Sequence, residues 1–178
     1  MYPAHGVGRV VAREKRTLQG ATQDVLVLEL PDGLSVTLPI ERARELLRPL
    51  LSEKDLSRVQ KTLREDRAPS NDVWLKRRKD TQVKLSGGDP LELAEVVRDG
   101  ALRERRLIAR DNGSRLSTGE KDLYMRARRL LSAEIGLAHD LHPVDADAWI
   151  EEQLAATLAR NGGLGLASVI QAGLQRAS

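Results

Sequence analysis

Over roughly the first forty positions the apolar residues alternate or fall in short runs, and from there to about residue 158 they recur at spacings of three and four. That change of period predicts a small sheet followed by a helical region. Gly6-Val7-Gly8-Arg9-Val10-Val11-Ala12 reads as a strand entered through a tight turn. Asp24 to Leu30 reads as a second, nearly continuously apolar, and Leu34 to Ile40 alternates with period two until Pro39 closes it, with Pro31-Asp32-Gly33 as the hairpin turn between them. Three strands of this length make a small curled sheet or partial barrel, too small to bury much alone.

Helix signals take over after Glu41. Arg42 to Leu47 is a short connecting turn or helix, and Ser52-Glu53-Lys54-Asp55 is a capped start for a helix to about Glu65 with Leu56, Val59 and Leu63 on one side. Arg67-Ala68-Pro69 breaks the pattern. The next helix is expected from a cap at Ser70 or Asn71 to Gly87-Gly88, and a third opens at Asp89-Pro90 and continues toward Ile108, with Gly100 as a weak point. Ser117-Thr118-Gly119-Glu120 is a capping box that leads into a helix with Leu123, Met125, Ala127, Leu130, Leu131, Ile135 and Leu137 on its apolar face. After a break at His139 to Pro143, Val144 to about Arg160 carries Trp149, Ile150, Leu154 and Leu158, and the residues from Asn161 read as a mobile glycine-rich tail. The expected architecture is α+β, with a β module at 1–48, about five helices at 49–160 and a tail at 161–178.

Composition narrows the chemistry. The 178 residues are 40% hydrophobic and 31% charged, which suits a soluble chain of one medium or two small domains. With no Phe, two Tyr and two Trp, the core must be aliphatic, so each Trp carries more information than usual. The absence of Cys removes disulfides, thiolate metal sites and cysteine catalysis, and agrees with a reducing cytoplasm. The start, MYPAHGVGRV, has no signal-peptide pattern, and no run is long and apolar enough for a membrane helix.

The one stretch that breaks the helical pattern is the most informative. Between Trp74-Leu75 and Val83 lie Lys76, Arg77, Arg78, Lys79 and Asp80, so no apolar stripe runs through the helix. Four consecutive cations beside an indole suit nucleic acid: the cations neutralise phosphates and the ring wedges against or stacks on a base. A single charge run is ordinarily a solvated helix face, and Arg103, Arg105 and Arg106 are read that way. Two basic runs in one helical region nevertheless favour a phosphate-facing surface. Trp149, on an acidic amphipathic helix, is read as a core or packing residue. Nothing assembles a catalytic site. His139 and His142 flank Asp140 without a third ligand, Gly6-Val7-Gly8 is too short to cradle a phosphate, and no P-loop, dinucleotide fingerprint or nucleophile elbow is present. No metal and no cofactor is expected.

Several segments in order carry a resemblance: Tyr2-Pro3-Ala4-His5-Gly6-Val7-Gly8, Arg16-Thr17-Leu18-Gln19-Gly20, Val25 to Leu30, Pro39, Trp74 with Lys76 to Lys79, Ser86-Gly87-Gly88-Asp89, Ala94 to Asp99 and Leu116 to Lys121. Over about residues 2 to 158 the chain resembles the CarD/CdnL family of bacterial transcription regulators. The resemblance implies an N-terminal Tudor-like RNA polymerase interaction domain that binds the β subunit, and a helical domain that meets promoter DNA at the upstream edge of the melted bubble. It assigns polymerase contact to Arg16 and to the segment Thr37, Leu38 and Pro39. It assigns DNA contact to Trp74, as a wedge in the minor groove, and to the basic positions Lys76, Arg77 and Lys79, beside which Arg78 stands in the same run. Arg16, taken without the resemblance, is equally an ordinary solvated cation in a turn.

Two departures stand out: Thr37 occupies a position that is often arginine in the family, which bears on how tightly polymerase is held, and the family's first strand before the Tyr-Pro has no counterpart. The latter predicts a sheet with an open edge that invites a second copy of the chain. The expectation is a cytoplasmic, nucleoid-associated, non-enzymatic regulator that contacts DNA without reading sequence. The other reading is a polymerase-binding module that lacks productive DNA contact and competes with a full-length relative.

Overall fold

The computed structural model of the protein describes residues 1–156 apart from 4, 19, 31, 32, 111 and 112. The Pro31-Asp32 part of the expected hairpin turn, the end of the last helix toward Arg160 and the tail from Asn161 lie outside the described residues.

Three strands, β1 (Arg9–Leu18), β2 (Ala21–Glu29) and β3 (Ser35–Pro39), form one antiparallel sheet in the order β1-β2-β3. The sheet is open, with β1 and β3 as its edges. β1 does not stop at Ala12 as the apolar pattern suggests. Arg13 to Thr17 pair residue for residue with Leu26 to Thr22, so Arg16 lies in a strand and not in a turn. Charged residues are well tolerated there, because an edge strand keeps its side chains wet and its charges deter stray pairing. Val11 is an extra residue between the pairs Val10↔Leu28 and Ala12↔Val27, a bulge that bends the strand. β2, paired on both sides, buries Val25, Val27 and Leu28.

Pro39 ends β3, and α1 (Ile40–Leu46) follows at once, so the connecting segment is a true helix. α2 (Glu53–Leu63) begins at the expected capping box, in which Ser52 accepts from the Asp55 amide and Asp55 accepts from the Ser52 amide. α3 (Trp74–Gly87) ends where Gly88 takes φ 64, a left-handed value that glycine adopts freely. α4 (Pro90–Arg110) starts with Asp89 accepting from the amides of Leu91 and Glu92. α5 (Thr118–Ala138) starts at the Ser117/Glu120 capping box, and α6 covers residues 143–156.

Gly100 is not a weak point: α4 runs unbroken through it. A β-carbon there would lie 2.5 Å from the Tyr124 ring, so its small size lets α4 and α5 approach closely. Around that contact Val59, Leu63, Leu93, Val97, Ala127, Leu131, Ile135, Ile150 and Leu154 build an aliphatic core, and Trp149 packs against it as expected. The inward face of α5 is not quite the one anticipated. Tyr124, Ala127, Leu131 and Ile135 are buried, whereas Met125 and Leu137 are exposed, because the face follows the row i, i+3, i+7, i+11 from Tyr124. Arg128 on α5 clamps α6, donating to Asp147 at 2.6 and 2.9 Å and pairing with Glu151 at 2.7 Å. The hydrogen bonds to Asp147, outweighing burial, push its pKa still higher than arginine's usual value.

Sheet and helices meet at Arg48. Its main chain exchanges hydrogen bonds with Met1, N–H to Met1 carbonyl at 3.1 Å and Met1 amine to Arg48 carbonyl at 2.8 Å. Its guanidinium donates to both carboxylate oxygens of Glu134 on α5, at 2.7 Å from Nη2, and to the Gly88 carbonyl at the end of α3 at 2.5 Å. Glu134 is fully buried and also accepts from the Leu51 amide at 3.1 Å. This acid is therefore an internal anchor. Removing one partner of such a pair leaves a buried charge alone. Arg48→Ala should thus lower the unfolding free energy in urea by about 3–5 kcal/mol, while Arg48→Met combined with Glu134→Leu recovers only part of the loss, because the Leu51 amide and the Gly88 carbonyl lose their partners.

Candidate nucleic-acid interface

α3 begins later than the caps Ser70 and Asn71 suggest. The Ser70 hydroxyl accepts from the Asp72 amide at 3.1 Å and donates to the Asp72 carboxylate at 2.8 Å, which closes a local turn instead of starting a helix. Val73 is the N-cap residue and offers no side-chain oxygen, and no acid lies in the first turn of α3. The positive end of the helix dipole is therefore left without a counter-charge on its own first turn. Hydrogen bonds from Ser70 and Lys76 hold the Asp72 carboxyl below its usual pKa, so it stays ionised beside Lys76, 3.1 Å away.

At about 100° per residue the helix divides its basic run between two faces. Trp74, Arg77, Thr81, Lys84 and Leu85 share the row toward α4 and α5, and Leu85 is the buried member. Leu75, Arg78, Lys79, Gln82 and Val83 share the outward row, all exposed. Trp74 is half-buried at the head of the inward row. A β-carbon on Gly119, the second residue of α5, would lie 3.2 Å from the indole Cζ2, so the absence of a side chain at that position makes room for the ring. The Arg77 guanidinium sits 5.8 Å from the ring centroid, within cation–π range.

Arg77 itself is directed inward. It donates to the Asp72 carbonyl and to Glu120 at 2.5 Å, and both side chains of the pair are mostly shielded, 20% and 17% exposed. Although burial pushes the Glu120 carboxyl up, hydrogen bonds from Arg77 and Ser117 prevail and hold it below its ordinary value. Arg103, expected on a solvated face, also turns inward and donates to the Ser70 carbonyl, and Arg98 is buried between Glu65 and Asp99. Of the five arginines between positions 98 and 110, Arg98 and Arg103 are thus structural. Together Trp74, Arg77, Arg103, Glu120 and Tyr124 line a cleft of about 180 Å³ between α3, α4 and α5. Of the five residues singled out for DNA, Arg78 and Lys79 face solvent, Lys76 is exposed but tied to Asp72, Trp74 is half-buried and Arg77 braces it. Leu75 is not among those five, although its i+3 and i+4 neighbours are Arg78 and Lys79 and it is exposed with them.

The sheet holds the other set. Arg16 pairs with Gln23 on one side of β2, while Thr37, Leu38 and Pro39 pair with Val27, Leu26 and Val25 on the other. Alternation places Arg16, Thr37 and Pro39 on the face of Gln23, Val25 and Val27, and Leu38 on the opposite face with Leu26. Arg16 is half exposed, with its guanidinium 2.6 Å from Glu14. Across two strand spacings the two edges stand about 10 Å apart, a separation one protein surface can span.

The described residues thus combine an open three-stranded module, anchored to a helical bundle, with an exposed cationic helix face. Comparison with known families gives that arrangement a place. The family model described as CarD-like/TRCF RID domain matches residues 1–51, and the one described as CarD, C-terminal domain matches residues 58–151. The chain belongs to the CarD family, and its RNA polymerase interaction domain makes it a polymerase-interacting transcription factor. No helix among the described residues is long and apolar enough to cross a membrane.

The Arg77–Glu120 brace has a pH signature. A carboxyl whose folded pKa lies below the unfolded one stabilises the fold above the ordinary value of 4.5, and that contribution is lost as the pH falls through the lower folded value. Glu120→Gln should therefore be less stable than wild type at about pH 6, with the difference shrinking toward about pH 3 in urea titrations.

Proposed function

We propose that the protein is a non-enzymatic, polymerase-tethered regulator of transcription initiation. It binds the β subunit through Arg16, Thr37, Leu38 and Pro39, and steadies the open promoter complex by a DNA contact at the upstream edge of the bubble. The observation that carries the DNA half is the tip of α3: a half-buried, braced indole at Trp74 beside an outward face bearing Arg78 and Lys79. Lys76, Arg78 and Lys79 address phosphates, which supply affinity without reading sequence. Arg77 acts through Trp74, as a positioning residue. An apolar group wedged at the fork occupies space the bases must re-enter, so bubble collapse slows. Unstacking one step costs a few kcal/mol, and a tether to polymerase raises the local concentration enough for a weak contact to matter.

The test is the lifetime of open complexes formed by bacterial RNA polymerase. The protein should lengthen it, Trp74→Ala should lose most of the extension, and Lys79→Ala should reduce the slope of log lifetime against log salt by about one. A protein that is retained by the β subunit yet leaves the lifetime unchanged is instead a competing interaction module.

A further inference from the structure

We infer that the group entering the opened DNA is an apolar blade of three consecutive residues, Val73-Trp74-Leu75, with Leu75 as its leading edge, and not the Trp74 indole alone. The inference rests on the proposed contact of this tip with the bubble edge and names the residues that make it. Three observations carry it. Val73 and Leu75 are 72% and 73% exposed, whereas Trp74 between them is half-buried. The indole faces Gly119 and is held by Arg77, so it is fixed against the bundle and cannot advance far without breaking the Arg77–Glu120 pair. Leu75, in contrast, heads the outward row with Arg78 and Lys79 one turn behind it, so a duplex that brings its phosphates to those cations brings its base edges to Leu75.

The chemistry fits an opened base step. Aliphatic side chains enter the minor groove between bases by filling the gap that unstacking leaves, and need cations nearby to hold the backbone. In this arrangement Trp74 is the rigid wall of the blade and Leu75 its edge. Leu75 carries no hydrogen-bonding side-chain group, so the leading edge recognises a weakened step through its deformability and not through its sequence.

The test uses the full chain with bacterial RNA polymerase, comparing Leu75→Ala, Leu75→Met, Val73→Ala and Trp74→Ala for open-complex lifetime and for retention by the β subunit. Circular dichroism melts check folding, which these exposed positions should leave intact for Leu75 and Val73. Leu75→Ala should shorten the added lifetime roughly fivefold to tenfold, as expected for withdrawing most of a leucine side chain from an apolar contact. Leu75→Met should keep it, and the salt slope should stay that of wild type because no phosphate contact is lost. Wild-type lifetimes with Leu75→Ala and loss only with Trp74→Ala would overturn the blade and leave the indole as sole wedge. A drop in β-subunit retention with Leu75→Ala would place Leu75 in a protein contact and overturn it too. If wild type lengthens the lifetime and neither Leu75→Ala nor Trp74→Ala shortens it, both the blade and the wedge reading fail.

Discussion

A single guanidinium decides how the two halves of this molecule are joined. Arg48 sits in the short segment between α1 and α2, yet it bonds to Met1 through its main chain, to Gly88 at the end of α3 and to buried Glu134 on α5 through its side chain. A three-stranded open sheet has little interior, and its stability must come from what it leans on. Here the lean is secured by an ion pair, not by apolar area alone. Such a pair contributes little net stability against a well-packed apolar alternative, but it is demanding of geometry. Glu134 is fully buried and takes three donors, two from Arg48 and one from the Leu51 amide, so both must be in place to satisfy it. Gly6 adds a second constraint, since a β-carbon there would press on Leu130 of α5 at 3.2 Å.

The same logic explains why a poorly amphipathic helix can be ordered at all. α3 buries little beyond Leu85, and four cations in a row repel one another. The helix is held at both ends by neutralising contacts: the Gly88 carbonyl on Arg48, and Arg77 on Glu120, a residue that also caps α5. With Arg77 neutralised inward and Lys76 met by Asp72, the residual positive charge is concentrated on Arg78 and Lys79.

Much of this was legible along the chain, and the reason is locality. Both capping boxes, the Asp89-Pro90 start and the Gly87-Gly88 stop are signals within four residues, decided by orphan amides and carbonyls that any helix end must satisfy. The family segments carried the two-module architecture. What could not be read depends on long-range geometry. Arg48 and Glu134 are 86 positions apart, and each alone looks like a solvated charge. Gly100 looked like a flaw until Tyr124 was seen to need its space. The start of α3 misled because Ser70 and Asp72 satisfy each other, which removes the cap the sequence offered. The division of the basic run into inward and outward rows was readable in principle from 3.6 periodicity, but only with the helix start fixed at Trp74.

Those two anchors also bear on how a regulator of the proposed kind would transmit load. α3 carries the tip at its N-terminus and is bonded at its C-terminus to the residue that fixes the sheet module. A duplex pressing on the tip would push along the helix axis, the direction in which its hydrogen-bonded ladder is stiffest, and toward Gly88 and Arg48. If the sheet module is held by polymerase, that path runs from Gly88 through the Arg48 side chain to its main-chain bonds with Met1. Stiffness matters because a wedge on a slack tether follows the collapsing strands, whereas one on a rigid strut resists them. The ion pair at Arg48 would then be more than a packing detail: it would set the distance between the surface proposed to meet polymerase and the tip proposed to meet DNA.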